Sequence, residues 1–145
     1  MGTPRFAVPS LEALCERGHE VAAVFTQPDR RAGRGQRYRA SAVKEKALAR
    51  RIPVEQPEKL RDPAVLERVR ALGVDAIVVA AYGKILPRSI LDVPPRGAIN
   101  VHGSLLPQYR GAAPIQRAIL AGDTLSGITI MQMNEKMDAG DILLQ

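Results

Sequence analysis

Continuous apolar runs alternate with helically spaced ones along this chain. Val21–Thr26 and Ala76–Ala81 lack the in–out alternation of a half-solvated strand, so both read as strands covered on two faces. Around them the spacing predicts helices. Pro9-Ser10-Leu11 opens one, with Leu11, Leu14 and Cys15 on a single side and Gly18 as the stop. Ser41–Arg51 is a second, with Val43, Ala47 and Leu48 inward, and Val54–Pro57 follows as a short edge-like strand. Asp62-Pro63 is an N-cap before a proline, opening a helix with Val65, Leu66, Val69 and Leu72 that ends at Gly73. Asp75–Tyr82 is then a buried central strand, Tyr82–Pro87 a loop and Arg88–Asp92 a short helix. Ala98–Val101 is a short strand, Ala113–Ala121 a helix stopped by Gly122, and Gly127–Met133 a strand with Ile128, Ile130 and Met131. Asn134–Gly140 is a polar turn, and Asp141–Gln145 begins another strand. This alternation predicts an α/β fold with a doubly wound, mostly parallel sheet. No apolar strand precedes Met1–Phe6, and the last strand is cut short, so a piece of something longer is expected.

Composition narrows the picture. A length of 145 residues with 46% apolar and 25% charged residues suits one globular domain. Aromatic residues make up only 3%, so the core must be aliphatic. The single cysteine, Cys15, excludes an internal disulfide framework and reads as a small buried hydrophobe in a reducing compartment. No run approaches the roughly 18 apolar residues of a membrane span, and the N-terminus lacks a signal-peptide layout. A cytoplasmic monomer without a membrane contact is expected.

The net charge of +6 comes from one place. Asp29–Arg51 holds nine basic and two acidic residues, while the rest of the chain has 12 basic and 13 acidic ones. Such a concentrated excess is the footprint of a polyanion contact. Within it Gln27–Ala40 reads as a loop carrying five arginines between Arg30 and Arg39. Gly33-x-Gly35 is not a dinucleotide-binding turn: Tyr38 occupies the place of the third glycine. A solvated loop and a phosphate-binding loop both remain open on this ground.

The chemistry points to Asn100–Gly111. Asn100 and His102 lie two residues apart at a strand end, so they share one face. Asp138 stands in the turn after the next strand, and in a parallel sheet the two strand ends fall at one edge. An imidazole can move a proton, a carboxylate beside it can fix its orientation, and an amide N–H can stabilise an oxyanion. That set suits direct acyl-type transfer to an amine. No nucleophile stands out, since Ser104 lacks an elbow motif. Structural roles for a strand-end histidine, a turn aspartate and a loop-capping asparagine fit the spacing as well. His19 and His102 are far apart and no ligands cluster, so no metal is expected.

The stretch Asn-Val-His-Gly-Ser-Leu-Leu-Pro-Gln-Tyr-Arg-Gly-Ala-Ala-Pro-Ile-Gln (100–116) resembles the signature of the 10-formyltetrahydrofolate-dependent formyltransferases. Asp-Ala-Gly-Asp-Ile-Leu (138–143) resembles their second motif. Residues 1–9, Thr26–Arg30, Gly33–Gly35, Gln56–Leu60 and Ala81–Gly83 are similar to the branch whose acceptor is methionyl-initiator tRNA. The resemblance implies a Rossmann-like formyltransferase fold, with 1–145 as a partial N-terminal catalytic domain and a C-terminal tRNA-binding domain absent. It implies Asn100, His102 and Asp138 as the catalytic trio. Ser104, Leu105, Leu106 and Pro107 would help hold 10-formyltetrahydrofolate, as would the loop containing Tyr82, Gly83, Lys84 and Leu86. Arg34, with Arg37, Arg39 and Lys44, would reach the tRNA. Gln108 departs from the arginine usual in the family at that position. Two other readings stand beside this one: a formyltransferase acting on an amino-sugar nucleotide or glycinamide ribonucleotide, and a non-catalytic RNA-binding or folate-sensing module.

Overall fold

The computed structural model describes residues 1–32 and 37–145. The chain divides into two compact units. One is Met1–Val74 with Ala80–Leu86, and the other is Asp75–Val79 with Pro87–Gln145.

In the first unit a 3₁₀ turn, Arg5–Ala7, leads into helix α1 (Val8–Glu16). Strand β1 (Val24–Phe25) pairs in parallel with β4 (Val54–Glu55), Val24 opposite Val54. Helix α2 (Ala42–Ala49) and helix α3 (Pro63–Ala71) complete it. Leu11, Val24, Phe25, Val43, Ala47 and Val69 are its buried aliphatic and aromatic centre. Both helices are capped as their sequences require. The Ser41 hydroxyl accepts from the Lys44 N–H, and the Asp62 carboxylate accepts from the Ala64 N–H. Ser41 also shares a 2.7 Å hydrogen bond with the fully buried Thr26 hydroxyl. Gly2 enters the core between Ala7 and the carbonyl of Ala80, with which it forms a parallel bridge. A Cβ there would stand 2.7 Å from that of Ala7.

The second unit is built on a four-stranded sheet in the order β5 (Ile77–Ala80), β6 (Ala98–His102), β7 (Thr129–Gln132) and β8 (Ile142–Leu144). Ala80, at the end of β5, belongs to the first unit. Helix α4 (Arg88–Leu91) lies between β5 and β6 in the chain, and helix α5 (Pro114–Ala121) between β6 and β7. The left-handed Gly122 (φ 74°) ends α5, as expected of that glycine. Ile77, Val79, Ile90, Leu91, Ala98 and Met131 are buried in this unit.

Several expectations need correction. The sheet pairings are mixed rather than mostly parallel: β6 with β7 and β7 with β8 are antiparallel. The β7–β8 connector, residues 133–141, is too short for a crossover, which needs roughly a dozen residues. Alternation of strands and helices pointed to a parallel β7, but it does not encode the pairing that sets strand direction. Within β7 the inward residues are Thr129 and Met131, whereas Ile128, the residue before the strand, is exposed. A period of two that buries Met131 must also bury Thr129. Leu48 is exposed and Cys15 only half-buried, so neither is a core residue. Finally, the arginine-rich stretch is not all loop. Strands β2 (Arg30–Ala32) and β3 (Arg37–Arg39) pair antiparallel, with Arg31 opposite Tyr38. The Arg31 guanidinium lies 5.5 Å from the centre of the Tyr38 ring, a cross-strand attraction that no apolar alternation announces. Among the described residues no helix is long and apolar enough to cross a membrane.

Two outcomes follow from the first unit. Ser41→Ala removes a cap and a partner of a buried hydroxyl, so chemical denaturation should show a loss of about 1–2 kcal/mol. Asp29 is held below its ordinary value of 3.8, first by the hydrogen bond from the Lys44 ammonium and then by that from the Gln56 amide. Folding thus favours its charged form. Its contribution is present above the ordinary value and is lost as pH falls through the lower folded value. Lys44→Met should therefore flatten the stability–pH curve below about pH 4.

Candidate active site

Strand β6 presents Asn100 and His102 two residues apart, opposite Met131 and Thr129 of β7. His102 is buried and Asn100 half-buried. Asp138 reaches them from the β7–β8 connector rather than from a parallel strand end. Its backbone is left-handed (φ 46°), a conformation aspartate adopts more readily than most residues. Gly140, two residues on, has no room for a side chain, because a Cβ would fall on the Gln132 carbonyl oxygen.

The Asp138 carboxylate holds the site together. Oδ1 accepts from Asn100 Nδ2 at 3.1 Å, and Oδ2 accepts from the Gly111 N–H at 2.8 Å. The same Oδ2 lies 3.6 Å from His102 Nδ1, an ion-pair distance rather than a hydrogen bond. On its other edge the ring's Nε2 is 3.1 Å from the Tyr109 carbonyl oxygen. Both ring nitrogens therefore face oxygens that can only accept. A neutral imidazole can donate to one of them, a protonated one to both. Asn100 keeps its second amide hydrogen for another acceptor. The spacing-based expectation that these three side chains meet agrees with this geometry, although they meet by an antiparallel route.

The following turn, Ser104–Gln108, is fixed from inside. Ser104 Oγ donates to the Gln108 carbonyl at 2.6 Å. Thr129 Oγ1 donates to the Ser104 carbonyl at 2.7 Å and accepts from the Leu106 N–H and the Gln145 side-chain amide, each at 3.0 Å. Thr129 is fully buried and its hydroxyl fully used. The Leu106–Pro107 peptide is cis. Ser104 thus shapes the turn with its hydroxyl, leaving half-buried Leu105 and exposed Pro107 as its outer surface. An open cleft of about 400 Å³ borders it, lined by Leu105–Gln108 and Asp123–Leu125.

Tyr109, Gly111 and Thr129 escaped the sequence reading. Tyr109 positions His102 through a backbone carbonyl, which side-chain chemistry does not reveal. It is held in turn by a 2.7 Å bond from its hydroxyl to Asp123 and by the Arg117 guanidinium, 5.2 Å from the ring centre. Thr129 was legible in principle as a polar residue at an inward strand position.

The other expected residues lie in the first unit. Tyr82 is buried, and burial pushes its hydroxyl up to about 12. That hydroxyl has no hydrogen-bond partner among the described residues. Gly83 is left-handed (φ 76°) and Leu86 is buried. The Lys84 ammonium donates to the carbonyls of Pro57 at 2.5 Å and Glu58 at 2.7 Å. Burial lowers its pKa. Of the residues expected to meet RNA, Arg34 lies outside the described residues. Arg37 and Arg39 are on β3, with Arg39 exposed. Lys44 already has partners: Asp29 at 2.6 Å and Gln56 at 2.7 Å. Among the described residues no three His, Cys, Asp or Glu side chains gather as metal ligands.

Comparison with known proteins gives this geometry a context. The formyl transferase family model matches residues 1–145. The methionyl-tRNA formyltransferase of Syntrophus aciditrophicus (strain SB) is 57% identical over 145 residues, covering 100% of this chain and 46% of that protein. That of Chromobacterium violaceum is 58% identical over 143 residues, covering 98% and 47%. The chain thus spans a little under half the length of these curated relatives. Among solved structures, phosphoribosylglycinamide formyltransferase from Bacillus halodurans superposes with a TM-score of 0.79 at 22% identity, covering 99% of this chain and 74% of that one. That likeness establishes a mixed α/β fold of the same kind. With its Asn100–His102–Asp138 cluster and a match along its whole length, the chain belongs to the formyl transferase family.

Proposed function

We propose that this chain is part of the N-terminal catalytic domain of an enzyme that moves the formyl group of 10-formyltetrahydrofolate to the amino group of methionyl-initiator tRNA. The observation that carries the reading is the single carboxylate of Asp138 holding Asn100 and facing His102. The names of the relatives supply the acceptor, and the nine basic residues of 29–51 suit an RNA.

In such a transfer the amine attacks the formyl carbon, the carbonyl oxygen gains negative charge, and the bond to the donor nitrogen breaks as a proton passes to it. The residues match those demands. Asn100 offers its free amide hydrogen to the developing oxyanion, and Asp138 holds its other one. The His102 ring is set edge-on between Tyr109 and Asp138, where a proton can be held or passed. Asp138, negatively charged, favours the amine's loss of a proton through an intervening water. No side chain here needs to form a covalent intermediate.

The turn 104–107 fits a donor with a flat ring. Its polar backbone groups are bonded inward through Thr129 and Gln145, so Leu105 and Pro107 offer apolar contact. The loop containing Tyr82, Gly83, Lys84 and Leu86 is proposed to bind the donor through backbone groups, and Arg34, Arg37 and Arg39 to contact the tRNA. Lys44 serves that contact by anchoring the segment through Asp29.

The full-length protein tests this. With charged initiator tRNA and 10-formyltetrahydrofolate, His102→Ala should lower turnover by at least about 10²-fold while the circular dichroism spectrum is kept. Retained turnover sinks the assignment. Formylation of an amino-sugar nucleotide or glycinamide ribonucleotide in place of the tRNA would favour that acceptor class. Salt-sensitive tRNA binding with no transfer by the native protein would favour the non-catalytic module. Thr129→Val leaves the Leu106 N–H and Ser104 carbonyl unpaired, so it should cost about 1–3 kcal/mol in a denaturation assay and weaken donor binding.

A further inference from the structure

The first residue of the basic hairpin does not share the surroundings expected of an RNA contact. Arg30 Nη2 donates to Gln27 Oε1 at 2.5 Å. The amide of Gln27 passes this bond onward, since its Nε2 donates to the carbonyls of Tyr82 at 3.0 Å and Gly83 at 3.1 Å. Gln27 therefore bridges the hairpin and the loop that begins at Tyr82. Gly83 is fitted to the bridge, because a Cβ at this left-handed residue would collide with Gln27 Nε2. The backbone of Gln27 is fixed separately: Gln56 Nε2 donates to its carbonyl at 2.9 Å, and Asp29 and Lys44 hold Gln56. The loop has two further ties, Thr3 Oγ1 to the Tyr82 carbonyl at 2.9 Å and Lys84 to Pro57 and Glu58. Arg30 also lies close enough to disfavour the charge on Lys84.

We propose that Gln27 is a positioning residue for the Tyr82–Leu86 loop and that Arg30 orients it, so this arginine of the basic segment serves the donor side of the reaction rather than the RNA. The chemistry has a defined direction. Two carbonyls demand a donor, so Nε2 must face the loop and Oε1 must face away. The Arg30 guanidinium supplies a charged donor to Oε1, which fixes the amide's orientation and polarises its N–H bonds toward the carbonyls. Glutamate in place of Gln27 would keep the bond to Arg30 and set an oxygen against two carbonyl oxygens. Alanine would remove both arms.

The proposal rests on the reading of this loop as a donor contact, so the test has one arm independent of it. In the full-length protein, hydrogen exchange of the 83–86 amides should accelerate in Gln27→Ala, in Gln27→Glu and, more weakly, in Arg30→Ala. It should not change in Arg31→Ala, whose guanidinium sits over Tyr38. In steady-state kinetics Gln27→Glu and Arg30→Ala should raise KM for 10-formyltetrahydrofolate about fivefold to tenfold, the loss expected for one hydrogen bond, with KM for tRNA and kcat within about twofold. The double variant Gln27→Ala/Arg30→Ala should be no worse than Gln27→Ala alone. Should Gln27→Ala fail to fold, the exposed Arg30→Ala still decides. Unchanged exchange in Arg30→Ala and Gln27→Glu, or a rise confined to KM for tRNA, overturns the proposal. Altered exchange with donor KM unchanged retains Gln27 as a loop anchor but overturns its service to the donor and the donor reading of that loop together. Unaltered exchange with intact donor binding leaves the donor reading standing and removes only Gln27 and Arg30 from it.

Discussion

One carboxylate organises the candidate site. Asp138 spends one oxygen on the Asn100 amide and the other on the Gly111 N–H, while facing the His102 ring. These partners come from a strand, a loop after it, and the connector that carries Asp138 itself. Fixing them together requires Asp138 to be left-handed and Gly140 to lack a side chain. Left-handed backbone outside glycine is uncommon, and it recurs here at Tyr109 (φ 55°) and Ala113 (φ 54°), flanking the same loop. Such conformations persist where surrounding bonds over-determine them, and they gather at functional sites. The loop after His102 is therefore a shaped object rather than a slack connection, with Thr129 beneath it and Tyr109 closing on the histidine.

Part of this was legible in the residues. The period of two put Asn100 and His102 on one face, and the cap Asp62 and the stop Gly122 lie where propensity places them. Those are local signals, and local physics decides them. Strand direction is different: it depends on pairing partners distant in sequence, so β7 was expected to run parallel and runs antiparallel. The trio still meets, because the 133–141 connector folds back and delivers Asp138. The basic hairpin was missed for a related reason. Its cross-strand pair is an arginine and a tyrosine, which carries none of the apolar alternation that marks a strand. Backbone-mediated roles, such as the Tyr109 carbonyl at His102, leave no trace in side-chain chemistry.

The charged segment also divides once its contacts are known. Lys44 is bonded to Asp29 and Gln56, and Arg30 to Gln27, so the head groups of these two already have partners inside the chain. Arg39 remains exposed, and Arg31 lies over Tyr38. A net excess of basic residues is thus a statement about a surface field, whereas the work of each residue depends on what its head group touches.

We infer that the negative charge of Asp138 acts on the transfer itself. Asp138→Asn in the full-length protein tests it most directly, since the side chain keeps its shape and can still accept from Gly111. Formyl transfer to charged initiator tRNA, measured at saturating donor, should fall by about 10²- to 10⁴-fold with the thermal unfolding midpoint little changed. A turnover within about threefold of the native protein would contradict it.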